Sequence, residues 1–255
     1  MIEHPSPNHG PRSLGARVDM VVIHYTGMET AEAALARMCD AQAKVSAHYM
    51  IGEDGTVWRL VAEADRAWHA GESRWAGHRN INDISIGIEL VNPGHEFGYR
   101  PFTPAQMAAL IGLGREIVAR HPIPPARVLG HSDVAPQRKQ DPGELFDWAA
   151  LAEAGLGLWP VETHGRLWPA DPPGDNAKSG GKAAPEPGTS DLAIAAAQRH
   201  LAEFGYDVAV TGTLDAAGQK VVSAFQRHFR PGRIDGAIDT ETAWRIEALC
   251  RLARG

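Results

Sequence analysis

Between Pro160 and Gly188 this chain carries a stretch that a folded core cannot use. It runs through Pro169-Ala170-Asp171-Pro172-Pro173-Gly174-Asp175 and then Lys178-Ser179-Gly180-Gly181-Lys182-Ala183-Ala184-Pro185-Glu186-Pro187-Gly188. Proline supplies no backbone N–H, glycine loses the most entropy on ordering, and from Pro169 onward there is no large apolar side chain to bury. The composition predicts a linker, extended where prolines cluster and flexible at the glycines. At 255 residues the chain also exceeds the commonest size of a single domain. Two unequal units follow: residues 1–159, a linker over 160–188, and a smaller unit over 189–255.

The first unit alternates strand and helix signals. Met20-Val21-Val22-Ile23 and Ile84-Ser85-Ile86-Gly87-Ile88 read as buried strands. Glu29 to Cys39 is alanine-rich, with Leu35 and Met38 on one helical face. His48 to Ile51 and Thr56 to Leu60 flank the turn Gly52-Glu53-Asp54-Gly55 as a hairpin. Thr103-Pro104-Ala105-Gln106 opens a helix with a capping threonine, a proline in the first helical position and a glutamine three residues past the cap. It carries Leu110, Leu113 and Ile117 at core spacing and ends near His121-Pro122. This alternation predicts an α/β or α+β domain around one sheet. The last unit reads as three helices over 191–204, 216–229 and 240–252, with Leu192, Ala195, Leu201 and Phe204 as the core stripe of the first. A core that small is only marginally stable by itself.

A net charge of -6 argues against a nucleic-acid partner, because phosphate binding needs a basic face. Cys39 and Cys250 lie at opposite ends on apolar helical faces and read as buried free thiols. No apolar run is long enough to span a bilayer, and the N-terminal residues lack the basic and apolar stretches of a secretory signal. The expectation is a cytoplasmic protein, or a periplasmic or outer-membrane one if a leader preceded Met1.

Chemistry-bearing residues collect at strand ends and in one proline-bounded run. Gly130-His131-Ser132-Asp133 leads through Pro136 to Lys139-Gln140-Asp141-Pro142-Gly143, and the prolines keep this run from continuing as regular helix. His24 ends one buried strand and Glu89 another. A catalytic zinc keeps three protein ligands and leaves a position for water. His24 and His131 would supply nitrogens and Asp141 an oxygen from a loop that doubles back. Glu89, an unclaimed acid at a strand end, would act as general base and then general acid. Lys139 would stabilise the oxyanion of a tetrahedral intermediate, from the same side as Asp141 if that stretch is extended. Individually these are ordinary structural residues; together they point to a metal hydrolase. His95-Glu96-Phe97-Gly98-Tyr99 lacks the second histidine of a zincin helix, and neither a Gly-x-Ser-x-Gly elbow nor a phosphate loop occurs.

The set Val22-Ile23-His24-Tyr25-Thr26, Ala47-His48-Tyr49-Met50-Ile51, Ala67-Trp68-His69-Ala70-Gly71, Asn82 to Leu90 and His131 through Gly143 resembles the zinc N-acetylmuramoyl-L-alanine amidases of the type-2 amidase family. The resemblance implies an α/β fold with a mixed central sheet flanked by helices, and one Zn2+ on His24, His131 and Asp141. It implies an acid/base at Glu89 and a transition-state lysine at Lys139. Phage members of the wider superfamily use a tyrosine for the role given to Glu89; the matching position here is Ala47. The implied reaction splits the amide between N-acetylmuramic acid, or its 1,6-anhydro form, and L-alanine of a stem peptide. Peptidoglycan fragments in cell-wall recycling are the implied substrates, with Trp68, His69 and Asn82 lining the groove; for His69 a purely structural histidine is the equal alternative. Family members often carry an arginine two residues before the Asn-Asp pair, where it helps hold a stem-peptide carboxylate; Asn80 stands there, beside Arg79. Phe204-Gly205-Tyr206, Gly212-Thr213-Leu214-Asp215, Ala224-Phe225-Gln226 and Asp235-Gly236 resemble a three-helix peptidoglycan-binding domain. Such a module would grip glycan, shape the groove or pack on the catalytic unit. Rival expectations are an envelope amidase on polymeric peptidoglycan and a non-catalytic recognition protein. The latter typically loses a metal ligand, and this chain retains every candidate.

Overall fold

The computed structural model describes residues 1–160 and 191–254, so the expected linker lies outside them from residue 161 onward. The elements run β1 (Ile2–Glu3), β2 (His9–Pro11), β3 (Met20–Tyr25), α1 (Ala31–Cys39), β4 (Tyr49–Ile51), β5 (Val57–Arg59), β6 (Asp65–Ala67), α2 (Ile81–Ile84) and β7 (Ser85–Leu90). They continue as α3 (Gly94–Phe97), α4 (Pro104–Arg120), β8 (Val128–Gly130), α5 (His131–Val134), α6 (Trp148–Glu153), α7 (Asp191–Phe204), α8 (Ala216–Phe229) and α9 (Thr240–Arg254). The α4 start follows the sequence signal: Thr103 accepts from the Gln106 N–H while the Gln106 side chain accepts from the Thr103 N–H, and Pro104 opens the first turn.

Six strands make one mixed sheet in the order β1-β5-β4-β7-β3-β8, and β2 and β6 pair separately. The hairpin β4–β5 is antiparallel, whereas β3 runs parallel to both β7 and β8. A strand with parallel neighbours on both sides is covered on both faces, which is why β3 is apolar from Met20 to Ile23. Its side chains alternate. Val21 and Ile23 belong to a core with Leu110, Leu113 and Ile117 of α4; Met20 and Val22 belong to another with Ile194, Leu201, Phe225, Phe229 and Leu249. The three C-terminal helices therefore complete the second face of the sheet and share one core with it, rather than standing on a marginal core of their own.

Within α7 the buried stripe is Ile194, Ala197 and Leu201, while Leu192, expected in the core, is 81% exposed. Leu192 sits in the first turn on the side away from the sheet, so its apolar character does not place it inside. Cys250 is buried and Cys39 half-buried, both as free thiols. No helix among the described residues is long and apolar enough to cross a membrane.

Candidate metal centre and active site

Parallel pairing decides where the site forms. His24 on β3 is in register with Glu89 on β7, and Ile23 with Gly130 at the end of β8. His131 follows Gly130 directly, as the first residue of α5. Three adjacent strands thus deliver His24, Glu89 and His131 at their carboxyl ends, where open α/β sheets place their sites. The sequence pointed to an irregular run after Gly130; a single helical turn comes first. The Arg138 and Lys139 N–H groups then both donate to the Ala135 carbonyl, turning the chain so that Asp141 returns to the histidines. Lys139 therefore reaches the cavity from this turn and not from an extended segment.

The Asp141 Oδ2 lies 2.9 Å from His24 Nδ1 and 3.0 Å from His131 Nδ1, and the two nitrogens are 3.0 Å apart. All three side chains are buried. The edge of a tetrahedron with bonds of about 2.0–2.1 Å is about 3.3 Å, so three donors this close match a dication with nitrogen and oxygen ligands. His131 Nε2 faces the Ala70 carbonyl at 3.0 Å, and a carbonyl only accepts, so that nitrogen carries a proton and Nδ1 is the nitrogen left to face a cation. Burial pushes His24 down to about 4, with the neighbouring His131 adding to the effect, so its ring is neutral at ordinary pH. Burial would raise the Asp141 carboxyl, but the His131 and His24 rings more than reverse this and hold it well below the usual carboxylate range. A carboxylate oxygen and two imidazole nitrogens facing one point are the donor set that a cation requires.

These groups line a cavity of about 420 Å3 together with Tyr25, Arg37, His69, Glu89, His95, Arg138 and Lys139. Burial, with the nearby Asp141 charge, pushes the Glu89 carboxyl well above its ordinary range, against the opposing pull of Lys139. Its Oε2 is buried without a hydrogen-bond partner. A buried oxygen of this kind is costly unless something arriving in the cavity meets it.

Residues 14–144 match the family model Amidase_2, described as N-acetylmuramoyl-L-alanine amidase, and residues 190–246 match the PG_binding_1 model of a peptidoglycan binding domain. N-acetylmuramoyl-L-alanine amidase AmiD of Escherichia coli K12 is 40% identical over 91% of this chain and 82% of its own length. The chain belongs to the N-acetylmuramoyl-L-alanine amidase family. A structure of E. coli AmiD in complex with the substrate anhydro-N-acetylmuramic acid-L-Ala-D-gamma-Glu-L-Lys matches this amidase with a TM-score of 0.75 at 37% identity, covering 94% of this chain and 92% of that one. AmpDh3 from Pseudomonas aeruginosa matches with a TM-score of 0.73 at 32% identity, covering 95% of each chain.

In this amidase the sequence-derived set His24, Glu89, His131, Lys139 and Asp141 converges on one cavity. The residues expected to line the groove fare differently. His69 reaches the cavity wall, but Trp68, Arg79, Asn80 and Asn82 are not among its lining residues. Arg79 and Asn80 are exposed, and the Asn80 amide donates to Asp83. The Asn82 side chain instead accepts from the His69 and Ala70 backbone N–H groups. Sequence reading missed Arg37, His95 and Arg138. Arg138 stood next to a flagged lysine, whereas Arg37, on an exposed helix face, and His95, in a rejected motif, carried no signal.

Proposed function

We propose that His24, His131 and Asp141 of this amidase hold one Zn2+, and that Glu89 and Lys139 carry the hydrolysis of the bond between N-acetylmuramic acid and L-alanine. The single observation behind this is three buried donor atoms 2.9–3.0 Å apart in the cavity that Glu89 and Lys139 also line. Zinc in such a position supplies Lewis acidity and brings the pKa of a water to roughly 7. Glu89 takes the proton of the attacking water and passes it to the departing alanine nitrogen; its raised pKa suits a group that must hold a proton before releasing it. Lys139 offsets the charge developing on the carbonyl oxygen. Arg37, exposed on α1 and lining the same cavity, offers a cation to a stem-peptide carboxylate in place of the exposed Arg79.

The substrate we favour is a soluble muropeptide, including 1,6-anhydro forms, in recycling within the cytoplasm. The PG_binding_1 match over residues 190–246 favours a second reading, polymeric peptidoglycan met in the envelope. Comparing stem-peptide release from purified muropeptides and from intact sacculi separates the two. For the site itself, Glu89→Ala is expected to keep its zinc and lose roughly 10²–10⁴-fold in rate, and His131→Ala to lose both. Full turnover by Glu89→Ala on a defined muropeptide, followed by mass analysis, refutes the assignment.

A further inference from the structure

A metal-binding imidazole works only if its proton sits on the nitrogen that faces away from the metal. For His24 that nitrogen is Nε2, which lies 3.0 Å from Nδ1 of His69. Two ring nitrogens facing each other leave the direction of the bond open, so the next partner decides it. His69 Nε2 lies 3.1 Å from Ser85 Oγ, and the Ser85 hydroxyl donates to the Ile81 carbonyl at 2.6 Å. The carbonyl can only accept. Ser85 has spent its proton there and must accept from His69 Nε2–H, which leaves His69 Nδ1 bare. His69 Nδ1 then accepts from His24 Nε2–H, which frees the His24 lone pair at Nδ1 for a cation held between it, His131 and Asp141; without a cation the Asp141 carboxylate, 2.9 Å from Nδ1, competes for the proton.

The neighbouring residue does the same for the other histidine. His131 Nε2–H donates to the Ala70 carbonyl, which also accepts from Arg138. The backbone presenting both partners is clamped by Asn82, whose Oδ1 accepts from the His69 and Ala70 N–H groups at 3.1 and 2.8 Å. Gly87 makes room: a Cβ there would overlap the His69 ring, so only glycine on β7 lets the imidazole lie against the strand. Ser85 is fully buried and His69 is 6% exposed where it reaches the cavity wall.

We propose that His69-Ala70 is a tautomer bracket for the metal centre: the His69 side chain, directed by Ser85, sets the proton of His24, and the Ala70 carbonyl sets that of His131. His69 and Ser85 are positioning residues in this scheme. It rests on the metal reading above, and metal affinity tests it without reference to turnover.

The experiment measures Zn2+ affinity by chelator competition, with ¹⁵N-histidine NMR of the zinc-loaded protein. The wild-type protein should bind zinc and show His69 protonated at Nε2 alone. His69→Phe, which keeps a ring but no acceptor, should weaken zinc binding roughly 10–100-fold. His69→Asn, whose Oδ1 can stand near the position of Nδ1, should recover most of the loss, which a merely space-filling role would not predict. Ser85→Ala should mix the His69 tautomers and lower affinity by a smaller factor; it decides the matter if His69→Phe does not fold. A folded His69→Phe, or failing that Ser85→Ala, with wild-type zinc affinity overturns the bracket. A wild-type protein with no zinc affinity overturns the metal reading instead.

Discussion

The α5 turn that presents His131 is held from the far side by the C-terminal helices, and Tyr206→Phe tests how firmly. Asp133, two residues after His131, is fully buried. Its carboxylate accepts from the Gly130 N–H at 2.7 Å, from the Tyr206 hydroxyl at 2.6 Å and from His228 Nδ1 at 2.7 Å. Tyr206 follows α7 and His228 lies on α8, so two separate C-terminal elements grip one acid of the segment that carries His131. Replacing tyrosine by phenylalanine keeps the ring against Trp75, 4.9 Å between centroids, and removes only the hydroxyl. A hydrogen bond to a charged acceptor contributes about 1.5–3 kcal/mol, and the buried carboxylate has no water to replace the lost donor. Because α7–α9 and the sheet share one core, the loss should appear in a single cooperative transition. For a chain of this size that is a fall in Tm of roughly 3–12 °C. Calorimetry and urea denaturation measure it, with zinc affinity followed in parallel. A change below about 0.5 kcal/mol, or a separate C-terminal transition that shifts while the other stays, refutes the idea that these helices brace the turn that carries His131.

Two further outcomes follow, one from a side chain in the site and one from a cluster at the end of α4. Lys139→Ala should keep zinc and lose roughly 10²–10³-fold in kcat, as removal of an oxyanion partner does elsewhere; a KM effect with kcat intact would reassign Lys139 to substrate binding. Glu63 accepts from Tyr49, Arg120 and His121 at 2.7–2.8 Å. Against the burial that would raise it, hydrogen bonds from Arg120, Tyr49 and His121 hold this carboxyl at about 2, below its ordinary 4.5. A depressed folded-state pKa stabilises fully above about pH 4.5, and the contribution disappears as pH falls towards 2. Glu63→Gln should therefore flatten the acid limb of a stability-versus-pH curve, and an unchanged limb shows that the cluster contributes nothing.

Much of this molecule was legible as local pattern. The apolar run before His24, the threonine-proline-glutamine start at Thr103 and the hairpin around Gly52 to Gly55 each depend on neighbours in sequence, and each stands where the pattern put it. The residues of the site were legible because strand ends and a proline-bounded run expose chemistry that a core has no use for. Trp68 stands outside the cavity lining, and nothing near His69 in sequence reveals that, besides reaching the cavity wall, it stands behind a histidine 45 positions away. Asp133 carried no signal of its own, and Leu192 looked like one more core leucine.

What the sequence alone determined is the set of elements and the donor types, since backbone propensity and side-chain chemistry act over a few residues. Which donors meet, which proton each imidazole carries and what covers the second face of the sheet are decided by parallel pairing of β3 with β7 and β8 and by the seating of α7–α9. Those contacts join residues dozens to more than a hundred positions apart, and only the folded chain brings them within hydrogen-bonding distance.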